Sequence, residues 1–146
     1  MQTENPYATP KSAVIDSDLE AINHRIDHLE VSDTWKERFR AIAAAGGPAL
    51  KNIKSLPKSQ RKKAFSFNFL AFLFGPFYYL VKRMWKKAIF YTVVMMVIIV
   101  ILSIILDYLG YPRIADSLHF GAAGFFAAKA NIDFYKHSVL HDSGCW

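Results

Sequence analysis

Ala88 to Leu106 is an unbroken apolar run of 19 residues, and its only polar members are Thr92 and Ser103. At about 1.5 Å per residue such a helix is roughly 28 Å long, close to the hydrocarbon thickness of a bilayer. A soluble fold would have to cover this helix on every side. The rest of a 146-residue chain is too small and too polar to do so. The run therefore predicts an integral membrane protein, with residues 88–106 as a transmembrane helix.

The overall composition conceals this division. Hydrophobic residues make up 53% of the chain and the mean hydropathy is only +0.14. Residues 1–63 are polar and charged, whereas 64–128 are rich in Phe, Leu, Ile, Val, Met, Ala and Gly. The first residues carry neither a basic nor an apolar leader segment, so no cleaved secretory signal is expected. The single cysteine, Cys145, excludes an intrachain disulfide and stands at the wrong distance from the end for prenylation. A lone thiol fits a reducing compartment.

Within the polar part, Pro6, Pro10 and small polar residues mark 1–15 as a disordered arm. Ser17 and Glu20 have the spacing of a capping box, and Leu19, Ile22, Ile26 and Leu29 recur at helical spacing. A second helix is expected over about 32–45, with Trp35, Phe39 and Ile42 on one side and Gly46-Gly47-Pro48 as its stop. Leu50, Ile53 and Leu56 suggest one or two more turns before Pro57. Residues 16–57 then form a small helical cytoplasmic head, too small to be very stable alone.

Charge falls in blocks. All eight acids of the head lie within residues 1–37, and there is no acid from Arg38 to Leu106. A basic juxtamembrane linker, 58–63, precedes the apolar segment 64–81, and a second basic cluster follows it. If 64–81 crossed the bilayer, one basic cluster would lie outside, against the positive-inside tendency. Gly75-Pro76 also interrupts the segment, because proline removes a helical hydrogen bond and clashes with the preceding turn. Residues 64–87 are therefore read as a broken, re-entrant or interfacial helical hairpin with its break at Gly75 and Pro76. A short span kinked at Pro76 is the competing reading.

The remaining topology follows from these assignments. The chain crosses outward over 88–106, turns in an outer loop at 107–117, and returns as a weaker transmembrane helix over 118–135. A cytoplasmic tail, 136–146, leaves both termini inside. Gly121, Gly124 and Ala128 form a smooth face for close helix packing. Trp85, Tyr91, Tyr108 and Tyr111 fall where interfacial aromatics belong. Asp107, Asp116 and Asp133 are placed at the membrane edges. The fold class is thus all-α.

The segment 67–87, FNFLAFLFGPFYYLVKRMWKK, resembles a family of small bacterial inner-membrane proteins known as the domain of unknown function 2628 family. Its pattern is Phe-Asn-x-x-Ala-Phe, then Phe-Gly-Pro, aromatics, a basic pair and a Trp, followed by a strongly apolar helix. The last helix carries Ala130, Asn131, Tyr135 and His137, with His137 one position earlier than in the family's pattern, which weakens any role for it. The resemblance covers about 60–140. It implies a bacterial source and a cytoplasmic (inner) membrane location, and it implies no activity.

Motifs for chemistry are few. His24 and His28 have two-histidine spacing, but they lie opposite the apolar stripe and read as solvent-exposed. His137 and His141 share that spacing without a third ligand fixed by sequence, so no metal and no cofactor are expected. There is no Gly-x-Ser-x-Gly, no phosphate loop and no carboxylate pair tied to a cleft, so no enzyme is expected and no catalytic residue is assigned. Lys58, Arg61, Lys62, Lys63, Lys82, Arg83, Lys86 and Lys87 flank membrane segments, where the anionic leaflet is a nearer partner than nucleic acid. Asn68, Lys129, Asn131 and Tyr135 are polar intramembrane candidates, either crosslinking helices or lining a polar crevice. The sequence thus points to a non-catalytic binding or adaptor protein, anchored to anionic lipid by the basic-aromatic segment and acting with a protein partner or a second copy. The alternative is an accessory subunit or small transporter-like oligomer, with Asn68, Lys129 and Asn131 along a shared polar pathway.

Overall fold

The computed structural model describes residues 11–145, with side chains from Ser17 onward. Among them there is no strand, and the chain is all-α. Its contacts divide it into two units, 1–64 and 65–146.

The first unit contains α1 (Lys11–Asp27), α2 (Asp33–Ala44), two 3₁₀ turns (Gly47–Ala49 and Ile53–Ser55) and α3 (Lys58–Ala64). Helix α1 starts at Lys11, so residues 11–15 are helical rather than part of a disordered arm; residues 1–10 lie outside the described residues. Ser17 and Glu20 consequently sit inside the helix, and the capping-box reading fails. The apolar spacing was the sounder guide, because Ile26 is fully buried. Helix α2 follows the expectation closely: Ser32 is its N-cap, and Phe39 and Ile42 are fully buried.

Gly46 ends α2 with φ +91°, and a Cβ there would meet the Lys51 backbone nitrogen at 3.3 Å. Only glycine fits that turn without strain. The basic stretch 58–63, expected as a linker, is instead most of α3. It packs on α2, with Ala64 buried and Lys63 paired to Glu37 at 2.7 Å. Arg40 pairs with Asp27 in the same way, and Lys36 donates to the Asp27 carbonyl at 2.9 Å.

The second unit contains α4 (Phe69–Phe74), α5 (Pro76–Val81), α6 (Trp85–Tyr108), the single turn α7 (Pro112–Ala115) and α8 (Leu118–Val139). Helices α4 and α5 are each about 9 Å long at the usual rise, far short of a bilayer, and they fold against one another across Gly75. Gly75 has φ 47° and ψ −119°, a conformation that side-chain-bearing residues avoid, and Pro76 supplies a first helical position that needs no N–H. Helix α8 packs mainly on α4, and α6 packs on α5 near its start.

Helix α6 is the one helix among the described residues long and apolar enough to cross a membrane. Only Lys87, Ala88 and Tyr91 of its 24 residues are buried. Helix α8 has 22 residues, but Lys129, Asp133 and Lys136 break its apolar character. Its helix also runs to Val139, past the expected boundary at 135, and its buried residues are concentrated between Phe126 and Val139.

Candidate functional site

The second unit carries its polarity inside and its apolar surface outside. Asn68, Lys87, Asn131 and Asp133 are all buried. Phe69, Leu73, Phe77, Val81 and most of α6 are exposed. Two polar clusters, both where the α4–α5 hairpin meets α8, account for the buried groups.

In the first cluster Asn68 caps α4, its Oδ1 accepting from the Ala71 N–H at 3.1 Å. That contact aims Nδ2 the other way, and it donates to Asn131 Oδ1 at 2.9 Å and to the Tyr78 hydroxyl at 2.9 Å. Asn131 Nδ2 in turn donates to the Ser66 carbonyl at 2.6 Å and lies 2.9 Å from Ser66 Oγ. The Asn68 backbone N–H reaches the Ala127 carbonyl at 3.3 Å. Both amides are thus spent on holding the hairpin to α8, as buried amides must be to avoid a desolvation penalty.

The second cluster centres on Asp133, which is fully buried. Tyr79 donates to Oδ2 at 3.1 Å, Tyr91 donates to Oδ1 at 3.4 Å, and Lys87 Nζ stands 3.6 Å from Oδ1. Aromatic edges enclose the group: Tyr79 and Tyr91 meet at 5.8 Å and 88°, and Tyr91 meets Phe125 at 5.3 Å and 90°. The carboxylate therefore joins α5, α6 and α8 in one charge-assisted knot.

Several sequence expectations change here. Lys87 was grouped with the headgroup-facing cations, but it is 2% exposed and its ammonium turns inward to Asp133. Asp133, expected at a membrane edge, is fully buried within the protein. A partner for Lys87 had to come from outside the acid-free stretch 38–106, and Asp133 is the sole acid between Ser117 and His141. That pairing signal was present in the sequence and was missed. Asn68 and Asn131 do come together. Lys129 does not join them: it is two residues from Asn131, roughly 200° around the helix, and half-buried. Tyr135 is buried on the same face as Asn131.

The remaining cations lie near the surface. Lys58, Lys62, Lys63, Arg83 and Lys86 are exposed, while Arg61 and Lys82 are half-buried. Lys82 stacks over the Phe134 ring at 4.4 Å, and burial pushes its ammonium pKa down. His24 and His28 are exposed, with ring centroids 4.4 Å apart and the rings tilted by 40°. Among the described residues no three potential metal ligands converge.

The chain matches a family model described as "Protein of unknown function (DUF2628)" over residues 23–139. It belongs to this family. The match runs from the middle of α1 to the last residue of α8, so it takes in most of the head as well as the hairpin block that carried the resemblance. Both polar clusters of the DUF2628 chain lie inside it. Comparison with curated proteins and with solved structures gives no match.

In the first unit, Leu19, Asn23, Glu37, Arg40, Ala41, Ala44, Gln60 and Lys63 line a cavity of about 310 Å³ among α1, α2 and α3. Asn23 Oδ1 is buried there and has no hydrogen-bond partner among the described residues. Such an oxygen in a native fold calls for an explanation. Nothing in the sequence marks it, since Asn23 lies between apolar-stripe positions and resembles any surface amide.

Proposed function

We propose that this chain is a non-catalytic binding or adaptor protein of the bacterial cytoplasmic membrane, with both termini in the cytoplasm. Helix α6 crosses the bilayer, the α4–α5 hairpin dips into the cytoplasmic leaflet, and α8 returns as a second, shorter span. The basic-aromatic residues of 58–87 that face outward hold the chain to anionic lipid, and the head engages a protein partner.

The inverted distribution of polarity carries this reading. Exposed Phe, Leu, Ile and Val surround buried Asn68, Lys87, Asn131 and Asp133, which suits a hydrocarbon surrounding and would be costly in water. Those buried groups bond to one another, which favours a structural interior over a transport pathway or a catalytic cleft. Depth along α8 supports the re-entrant hairpin. Asn68 lies beside Asn131 and Lys82 beside Phe134, whereas the tip at Gly75 and Pro76 lies with His119 and Ala122. Both hairpin ends thus share one level and the tip points toward the start of α8. The head cavity, with its unpartnered Asn23 oxygen, supports docking by a segment that offers a hydrogen-bond donor.

The test is purification of tagged protein from its native membrane in mild detergent, with mass spectrometry of every co-purifying protein and lipid. The adaptor reading expects a stoichiometric protein partner, lost on deleting residues 1–56 and on filling the head cavity with Ala44→Trp. A homo-oligomer carrying only lipid would overturn it in favour of a pathway or a lipid-binding role.

A further inference from the structure

Where the hairpin ends and α6 begins, the chain encloses a cavity of about 240 Å³ lined by Arg83, Trp85, Lys86, Lys87, His137 and Asp142. Three of the lining side chains are cationic. Lys87 is committed to Asp133, but Arg83 and Lys86 are exposed at the mouth. Arg83 is held at φ +61°, a left-handed conformation unusual for a residue with a side chain. Backbone strain of this kind persists where the surroundings impose it and recurs at ligand clamps.

The backbone adds to the same field. Met84 is the N-cap of α6 and makes no side-chain cap hydrogen bond. The first turn of this 24-residue helix, at the positive end of its dipole, borders the cavity through Met84, Trp85, Lys86 and Lys87. The opposite wall is the tail. The Asp142 carboxylate lies 3.3 Å from Lys136 and 3.9 Å from Lys87 and accepts from the Gly144 N–H at 2.9 Å. An anion of the chain's own already stands at the rim.

We propose that this cavity is a binding site for a phosphate group, with Arg83 and Lys86 as its principal contacts and Asp142 as an internal competitor. This rests on the reading that the basic end of the hairpin lies at the anionic membrane surface, and it replaces diffuse attraction by one saturable site per chain. Arginine's planar fork matches two phosphate oxygens, and Lys86 supplies a point charge beside it. His137 lines the same cavity and offers a further ring nitrogen. The phosphate comes either from an anionic lipid headgroup or from a free phosphate, and the two sources are separable by experiment.

Full-length protein in an uncharged detergent is titrated calorimetrically with short-chain phosphatidylglycerol, short-chain phosphatidylcholine and inorganic phosphate. One equivalent of phosphatidylglycerol bound per chain, with neither of the others binding comparably, assigns a lipid headgroup. Equal binding and mutual competition by inorganic phosphate assigns a free phosphate. Arg83→Gly removes the guanidinium at a position whose backbone favours glycine, so the fold is retained. It weakens binding at least about tenfold, the loss expected for a charge-assisted bidentate contact. Asp142→Asn tightens binding about threefold by removing a half-buried competing charge. Arg113→Ala, which removes an equal charge on α7, leaves affinity unchanged. The absence of saturable binding, or equal losses in Arg83→Gly and Arg113→Ala, overturns the site. Recovery of Arg83→Gly in the membrane fraction shows separately that the membrane reading stands.

Discussion

Replacing Asp133 by alanine would leave the buried Lys87 with only the more distant Asp142 carboxylate at 3.9 Å, deprive the Tyr91 hydroxyl of its acceptor and leave Tyr79 only the Phe126 carbonyl at 3.4 Å. Removing one partner of a buried ion pair costs about 3–5 kcal/mol, whereas replacing both by apolar groups of similar volume is often neutral. Denaturation of the detergent-solubilised protein should therefore show Asp133→Ala strongly destabilised, and the Lys87→Met, Asp133→Leu double variant close to the parent. Equal losses in both would mean that the pair supplies net stability through its charges. Asn68→Ala should cost about 2 kcal/mol, since it removes an α4 cap and leaves Asn131 short of a donor. Asp142 belongs to the same scale. The Gly144 N–H, and then Lys136 and Lys87, hold its carboxyl below the ordinary aspartate value. A depressed carboxyl contributes stability above its unfolded pKa and loses it as pH falls through the folded one. A spin label on Cys145 should thus become more mobile only when the pH drops below the ordinary carboxylate range, and in Asp142→Asn it should be mobile throughout.

Among the elements, the hairpin is the one whose shape a single residue decides. A Cβ on Gly75 would find its nearest neighbour, Phe126, at 3.9 Å, so space is available and the backbone conformation is the obstacle. Gly75→Ala should cost on the order of 1–3 kcal/mol through strain alone, which chemical denaturation against the parent protein measures. This break was legible in the sequence, because Gly-Pro inside an apolar run has few other uses. The apolar run of α6 and the α2 helix with its glycine stop were legible for the same reason: each is a local pattern with one physical outcome. Two elements were misread, one of them fixed by tertiary contact. Helix α1 extends back to Lys11 beyond its apparent cap, and the basic stretch 58–63 becomes helix α3 by packing on α2. The interior was legible only in part. The amides Asn68 and Asn131 stood out as polar groups among apolar ones. Lys87 did not, because it sits in a run of cations and its partner is 46 residues away.

At the scale of the whole molecule, the second unit resembles a soluble domain turned inside out, and that inversion carries the account of what the protein is for. An interior that satisfies its own polar groups leaves three surfaces free to act: the apolar belt of α6 and the hairpin, the basic rim, and the head cavity at Asn23. In the proposed function the first meets lipid hydrocarbon, the second headgroups and the third a protein. All three assignments depend on the hairpin returning to the side from which it entered. The most direct measurement places single cysteines at Ser59, Lys86 and Asp116 in a Cys145→Ser background and exposes intact cells to an impermeant thiol reagent. The account predicts labelling at Asp116 alone, with Ser59 and Lys86 reacting only after the membrane is opened. Labelling of Lys86 from outside would make 64–81 a full crossing and contradict the account.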